Sequence, residues 1–112
     1  MNLFSYDMTE AVLEAVQEIK EEGLKKKIKV YIELLELRGF NLPSQYMDKV
    51  EGYKGLFELR PHFHNIEFRM LFYWKGKSAQ IIHTFYERGN KKTNQREYET
   101  AEKIRIAREG RK

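Results

Sequence analysis

Cysteine is absent from the 112 residues, which removes disulfide bridges and thiolate metal sites from consideration. Proline occurs only at Pro43 and Pro61, and tryptophan only at Trp74. The longest unbroken apolar run, Met70 to Trp74, is far short of the ~20 residues that cross a bilayer. The amino-terminal stretch has neither the basic start nor the apolar core of a secretory signal. No membrane association and a cytoplasmic setting are therefore expected. Internal repeats and low-complexity segments are also missing.

What is present suffices for one packed domain spanning residues 1–112. Hydrophobic residues make up 41% of the chain, with seven tyrosines and seven phenylalanines beside the tryptophan. A disordered chain carries far fewer. The net charge of +4 is unevenly spread: residues 1–52 hold seven Lys/Arg against ten Asp/Glu, and residues 53–112 hold fourteen against seven. A phosphate-rich partner would meet the second half. A plain solvated basic surface explains the same numbers.

Periodicity predicts the elements. Asp7 and Glu10 form a capping-box pattern, followed by Met8, Ala11, Val12, Ala15, Val16 and Ile19 on one helical stripe, with Gly23 as the stop. Leu24, Ile28, Tyr31, Ile32 and Leu35 form the stripe of a second helix ended by Gly39, so the pair reads as a helical hairpin. Residues 41–44 are a loop and 45–52 an unassigned connection. Leu56 to Arg60 reads as a strand broken by Pro61. Ile66, Phe68, Met70, Phe72 and Trp74 alternate with Glu67, Arg69, Leu71 and Tyr73 along the next. Lys75-Gly76-Lys77 turns into a third strand, Gln80 to Tyr86, whose odd positions (Ile81, His83, Phe85) oppose its even ones. Arg88 to Asn94 reads as a basic loop. Asn94 and Glu97 repeat the capping-box spacing and open a last helix with a thin stripe of Tyr98, Ala101 and Ile104, expected to pack lightly or to await a partner. Met1 to Tyr6 is a candidate edge strand. The order (β)–α–α–β–β–β–α predicts an α+β domain: a helical hairpin on a small twisted antiparallel sheet of three to four strands, plus a carboxy-terminal helix.

Four segments carry a resemblance to a known family. Gly52-Tyr53-Lys54-Gly55-Leu56-Phe57-Glu58-Leu59-Arg60 resembles the pattern G-(Y/L)-x-G-L-(W/F)-E-L-R. Glu67-Phe68-Arg69-Met70-Leu71-Phe72-Tyr73 is similar to its x-Y-R-(I/V/L)-x-Y-x partner strand. Ile82-His83-Thr84-Phe85 resembles its L-H-G-F strand, and Asn90-Lys91-Lys92-Thr93 its K-K-T loop. They occur in order and near the expected spacing, as in the HigB-like, phage-associated branch of the RelE/ParE toxin superfamily. Two departures stand out: Thr93-Asn94 replaces a common Thr-Pro, and the segment from Phe85 to Thr93 is about one residue longer than in relatives, which blurs the match between individual basic residues.

The resemblance implies the toxin of a type II toxin–antitoxin system, a metal-independent and ribosome-dependent mRNA endoribonuclease. Its implied partners are mRNA on the ribosome and a cognate, helix-turn-helix, HigA-like antitoxin. In such chemistry the ribose 2′-hydroxyl attacks the adjacent phosphate, and cations stabilise the anionic phosphorane. Arg69, a cation within an apolar strand, becomes the phosphate-binding arginine. Its structural reading is an ion pair with Glu58 or Glu67. Arg60 follows as a second cation near the scissile phosphate, or as a strand-end surface charge. His83 is either a proton carrier or a structural imidazole. Lys91 and Arg88 compete for the role of a further catalytic cation. Lys54, Tyr86, Arg88 and Lys92 are expected to hold RNA, Tyr86 by stacking. His62 and His64 lack a completing ligand set and read as loop residues or as RNA-facing groups. No cofactor is expected. Two other functions fit the same sequence: a ParE-like toxin acting on DNA gyrase, and a non-catalytic basic RNA-binding module.

Overall fold

The computed structural model describes residues 3–110. The elements are β1 (Ser5–Met8), α1 (Glu10–Gln17), α2 (Glu22–Arg38), a 3-10 turn (Gly39–Asn41), β2 (Met47–Lys49), β3 (Phe57–Leu59), β4 (His62–Phe63), β5 (Ile66–Lys75), β6 (Ser78–Tyr86) and α3 (Lys91–Glu109). The α+β class is as expected, but the sheet is larger and mixed. Its order is β1-β6-β5-β3-β2, with β4 pairing β5 off that path, and β1 runs parallel to β6.

Helix α2 buries the five residues its periodicity selects, Leu24, Ile28, Tyr31, Ile32 and Leu35, and ends at Gly39 with φ of 49°, a conformation glycine adopts without steric cost. Gly23 has a different task. It lies within the first turn of α2, and a Cβ there would fall 2.2 Å from the Phe63 ring. α1 stops earlier, at Gln17. Its cap is Thr9, whose hydroxyl accepts the Val12 N–H at 3.3 Å. Asp7 is instead committed to β1, opposite Gln80.

Three further differences have local causes. β2 is formed by residues of the unassigned connection and pairs antiparallel with β3; three residues are too few to display a period of their own. A bulge lies between the Leu71–His83 and Phe72–Ile81 pairs. The extra residue breaks the odd–even rule, so Ile81 joins the cluster under α1 and α2 while Ile82 and Phe85 join the one under α3. Last, α3 begins at Lys91, because Asn90 Oδ1 accepts the N–H groups of Lys92 and Thr93 at 2.9 and 3.3 Å. Asn94 points its Nδ2 at Glu87 instead. The expected basic loop is therefore mostly helix.

The sheet carries a core on each face. Phe68, Met70, Phe72, Ala79 and Ile81 pack with Val12, Leu24, Ile28 and Leu35. On the reverse, Leu71, Tyr73, Ile82 and Phe85 pack with Ala101, Tyr98 and Ile104. α3 is thus docked along its thin stripe. Polar ties reinforce it: the Arg108 Nε–H donates to the Tyr73 hydroxyl at 3.1 Å, and His83 Nε2 lies 2.8 Å from Glu97 Oε1. Among the described residues, no helix is long and apolar enough to cross a membrane.

Candidate functional site

Strand parity places Glu58 and Arg60 on the α3 side of β3. Glu58 lies opposite Leu71, and the ladder ends at the Leu59–Met70 pair, with Arg60 and Arg69 the next residues on either side. The three side chains meet. Glu58, with a side chain only 4% exposed, accepts from Arg60 Nε and Nη2 on Oε2, both at 2.9 Å. Its Oε1 accepts the Tyr98 hydroxyl at 2.9 Å and stands 3.9 Å from Arg69 Nε. One buried carboxylate therefore couples two arginines and a tyrosine from three elements. Such a charge is tolerated inside only when paired and hydrogen-bonded.

The arginines differ in access. Arg69 is 14% exposed and also donates Nη1–H to Glu67 Oε1 at 3.2 Å. Arg60 is 35% exposed and reaches toward Asp48 at 3.8 Å. It borders an open cleft of about 1030 Å³ together with Lys54, Tyr53, Glu58 and Tyr98. A contiguous hollow bounded by Tyr53 and Tyr98 adds Lys91 and Asn94. Tyr53 and Tyr98 stand between the two, ring centroids 6.3 Å apart. Burial pushes the Tyr98 phenol well above its ordinary range, and the adjacent Glu58 charge adds to the shift.

Of the residues the sequence singled out, Arg60, Lys54 and Lys91 line this continuous surface, and Arg69 joins through Glu58. Arg88 and Lys92 are exposed beside the start of α3. His83 lies elsewhere, hydrogen-bonded to Glu97 and bordering a small hollow with Ala11 and Ala15 of α1. Tyr86 is directed to the opposite face, where its ring packs edge-on against Phe68 at 5.0 Å. His62 and His64 flank Phe63 in the β4 hairpin, outside the cleft.

Glu58 and Tyr98 were not singled out as site residues. Alternation along Leu56-Glu58-Arg60 was a usable signal for Glu58, since Leu56 on the same parity is fully buried. For Tyr98 the helical stripe signalled packing and concealed the hydroxyl's partner. Glu87 is a lesser addition: hydrogen bonds from Asn94 and the Gly89 N–H lower its carboxyl pKa and tie the loop to α3. The buried Asn94 Oδ1 has no hydrogen-bond partner among the described residues.

A mixed sheet holding an open cleft, lined by Lys49, Lys54 and Arg60 against Asp48, Glu51 and Glu58, beside a carboxy-terminal helix defines a protein of RelE-like fold, and solved structures agree. The free E. coli toxin RelE, as a double arginine-to-alanine mutant, is similar at a TM-score of 0.61 and 10% identity, over 89% of this chain and 98% of that one. An archaeal RelE from a RelE–RelB complex of Pyrococcus horikoshii is similar at 0.54 and 18% identity, over 78% and 97%. A family model described as "Phage derived protein Gp49-like (DUF891)" matches residues 7–105, and the chain belongs to that family. The resemblance to the HigB-like, phage-associated branch of the RelE/ParE superfamily is thereby borne out. No curated protein matches the sequence significantly.

Proposed function

We propose that the chain is the toxin of a toxin–antitoxin pair and a metal-independent endoribonuclease acting on ribosome-bound mRNA in the cytoplasm. The single observation that carries this reading is the convergence of Arg60 and Arg69 on Glu58 beside an open cleft rimmed by Lys54 and Lys91. Arginine is permanently charged and can grip two phosphate oxygens at once. Glu58 holds one edge of Arg60, leaving its Nη1 for the non-bridging oxygens of a scissile phosphate. Arg69, seated behind, adds positive field where charge builds on the phosphorane.

In this mechanism the ribose 2′-oxygen attacks phosphorus and its proton passes to water. The bond to the 5′-oxygen breaks, Lys91 supplies a proton to that oxygen, and a cyclic phosphate and a 5′-hydroxyl result. Lys54 and Lys92 hold flanking phosphates, and Tyr53 offers a ring for a splayed base. His83, outside the cleft, acts structurally through Glu97. The physiological partner is a cognate antitoxin of the HigA-like, helix-turn-helix kind; the solution of a relative as a RelE–RelB complex supports a partnered state.

Translation-coupled primer extension tests the reading. The parent chain should yield discrete mRNA cuts, and Arg60→Ala or Arg69→Ala should lower cutting by about 100- to 1000-fold without loss of the fold by circular dichroism. Inhibition of gyrase supercoiling without mRNA cuts would instead identify a ParE-like toxin, and salt-sensitive RNA binding with no cuts a non-catalytic module.

A further inference from the structure

A second groove, of about 680 Å³, shares no lining residue with the cleft beside Arg60. It runs along α2 beside the β4 hairpin. Its floor is apolar: Val30 and Leu34 of α2, Phe63 of β4, and the rings of Tyr31 and Tyr46 set edge-on at 5.2 Å. The Phe63 ring closes one end against the backbone of Gly23, a contact only glycine permits. Lys26, Val30 and Leu34 follow one another at four-residue steps, so the stripe extends about 12 Å along the helix. Val30 is 48% exposed in mid-helix, where hydrocarbon facing water contributes nothing to the fold.

The rim decides what fits. Lys26, Lys27 and His62 border the groove, and among the described residues no carboxylate lines it. Lys25 is paired with Glu22, whereas Lys26 and Lys27 make no ion pair among the described residues. These cations stand in the amino-terminal half of α2, where the helix dipole adds to their potential. Both lysines lie within the half of the chain whose overall charge is negative, so their concentration here is a local feature. The geometry points to a docking site for an acidic amphipathic helix of a partner protein. Its apolar stripe would lie on Val30, Leu34 and Phe63, and its carboxylates would meet Lys26 and Lys27. A nucleic acid would satisfy the lysines but leave the apolar floor uncovered.

The test does not depend on nuclease activity. A fluorescein-labelled peptide of about four helical turns, with leucines on one face and glutamates on the other, is titrated against the full chain. The expected result is saturable binding with amide shifts at Lys26–Leu34, Tyr46 and Phe63. The double variant Lys26→Glu/Lys27→Glu should weaken it at least about tenfold, a change of roughly 1.4 kcal/mol. Val30→Asp, at a position 48% exposed, should do likewise, and both variants should keep the parent's circular dichroism. Three results each overturn the proposal: equal binding of a charge-matched peptide with serines for leucines, shifts confined to Lys54, Arg60 and Tyr98, or displacement of the peptide by a short single-stranded RNA.

Discussion

The two faces of β5 and β6 are built from alternate residues of the same strands, yet they do different work. Under α1 and α2 the face is hydrocarbon and aromatic ring throughout, from Phe68 to Ile81. Under α3 the apolar residues Leu71, Tyr73, Ile82 and Phe85 are interrupted by Arg69 and His83, each tied to a carboxylate. The difference follows from the covering helices. α2 offers a stripe of five buried residues, whereas α3 buries Ala101 alone and leaves Tyr98 and Ile104 partly open. A narrow apolar stripe cannot seal a sheet face, and the unsealed part holds polar groups that must satisfy one another. Stability is concentrated on one face and charge on the other.

Five substitutions break or sharpen that contrast. The largest effect should come from the sealed face: Phe72, fully buried, is expected to lose about 3–5 kcal/mol as Phe72→Ala by urea denaturation, through lost transfer energy and a residual cavity. On the open face, Glu58→Gln keeps shape but weakens charge-assisted bonds to Arg60 and Arg69, and should cost about 1.5–3 kcal/mol. It should also cut mRNA cleavage, because the arginines lose their common anchor. A loss of stability with full cleavage would separate the brace from the chemistry.

Tyr98→Phe removes one donor to Glu58, worth about 1 kcal/mol, and gives the contrast a pH signature. The phenol of Tyr98 is held above its ordinary value of 10.0, so its contribution is complete below that pH and is lost as pH rises past it. The parent should therefore weaken in alkali more steeply than Tyr98→Phe. Tyr31, on the other face, is also raised, by burial and by Tyr46 and Glu67; a Tyr31→Phe variant should flatten the curve less. The smallest effect is one of opposite sign. Lys92 stands in the first turn of α3, which has no acidic residue, at the positive end of the helix dipole. Lys92→Glu should raise stability by about 0.3–1 kcal/mol while lowering RNA affinity, a combination read by thermal melts beside filter binding.

Much of this was legible beforehand. The α2 stripe, the alternation of β5 and the turn at Gly76 were all visible, because each is a repeat within one element. The family motifs singled out Arg60 and Arg69 on their two segments, but not the carboxylate on which both converge. The bulge in β6 was hidden, since an inserted residue leaves the composition of a strand unchanged. Asn94 was read as the cap of the last helix; Asn90 caps it instead, and Asn94 engages Glu87.

Local order therefore belongs to the sequence by itself: which residues are helical, which alternate, and where positive charge accumulates. The tertiary structure alone decided that Glu58 would gather Arg60, Arg69 and Tyr98, and that His83 and Tyr86 would lie apart from them. Periodicity is written along a single segment. A carboxylate shared with a tyrosine 40 residues away exists only once two strands and a helix have packed, when burial makes the missing partner costly.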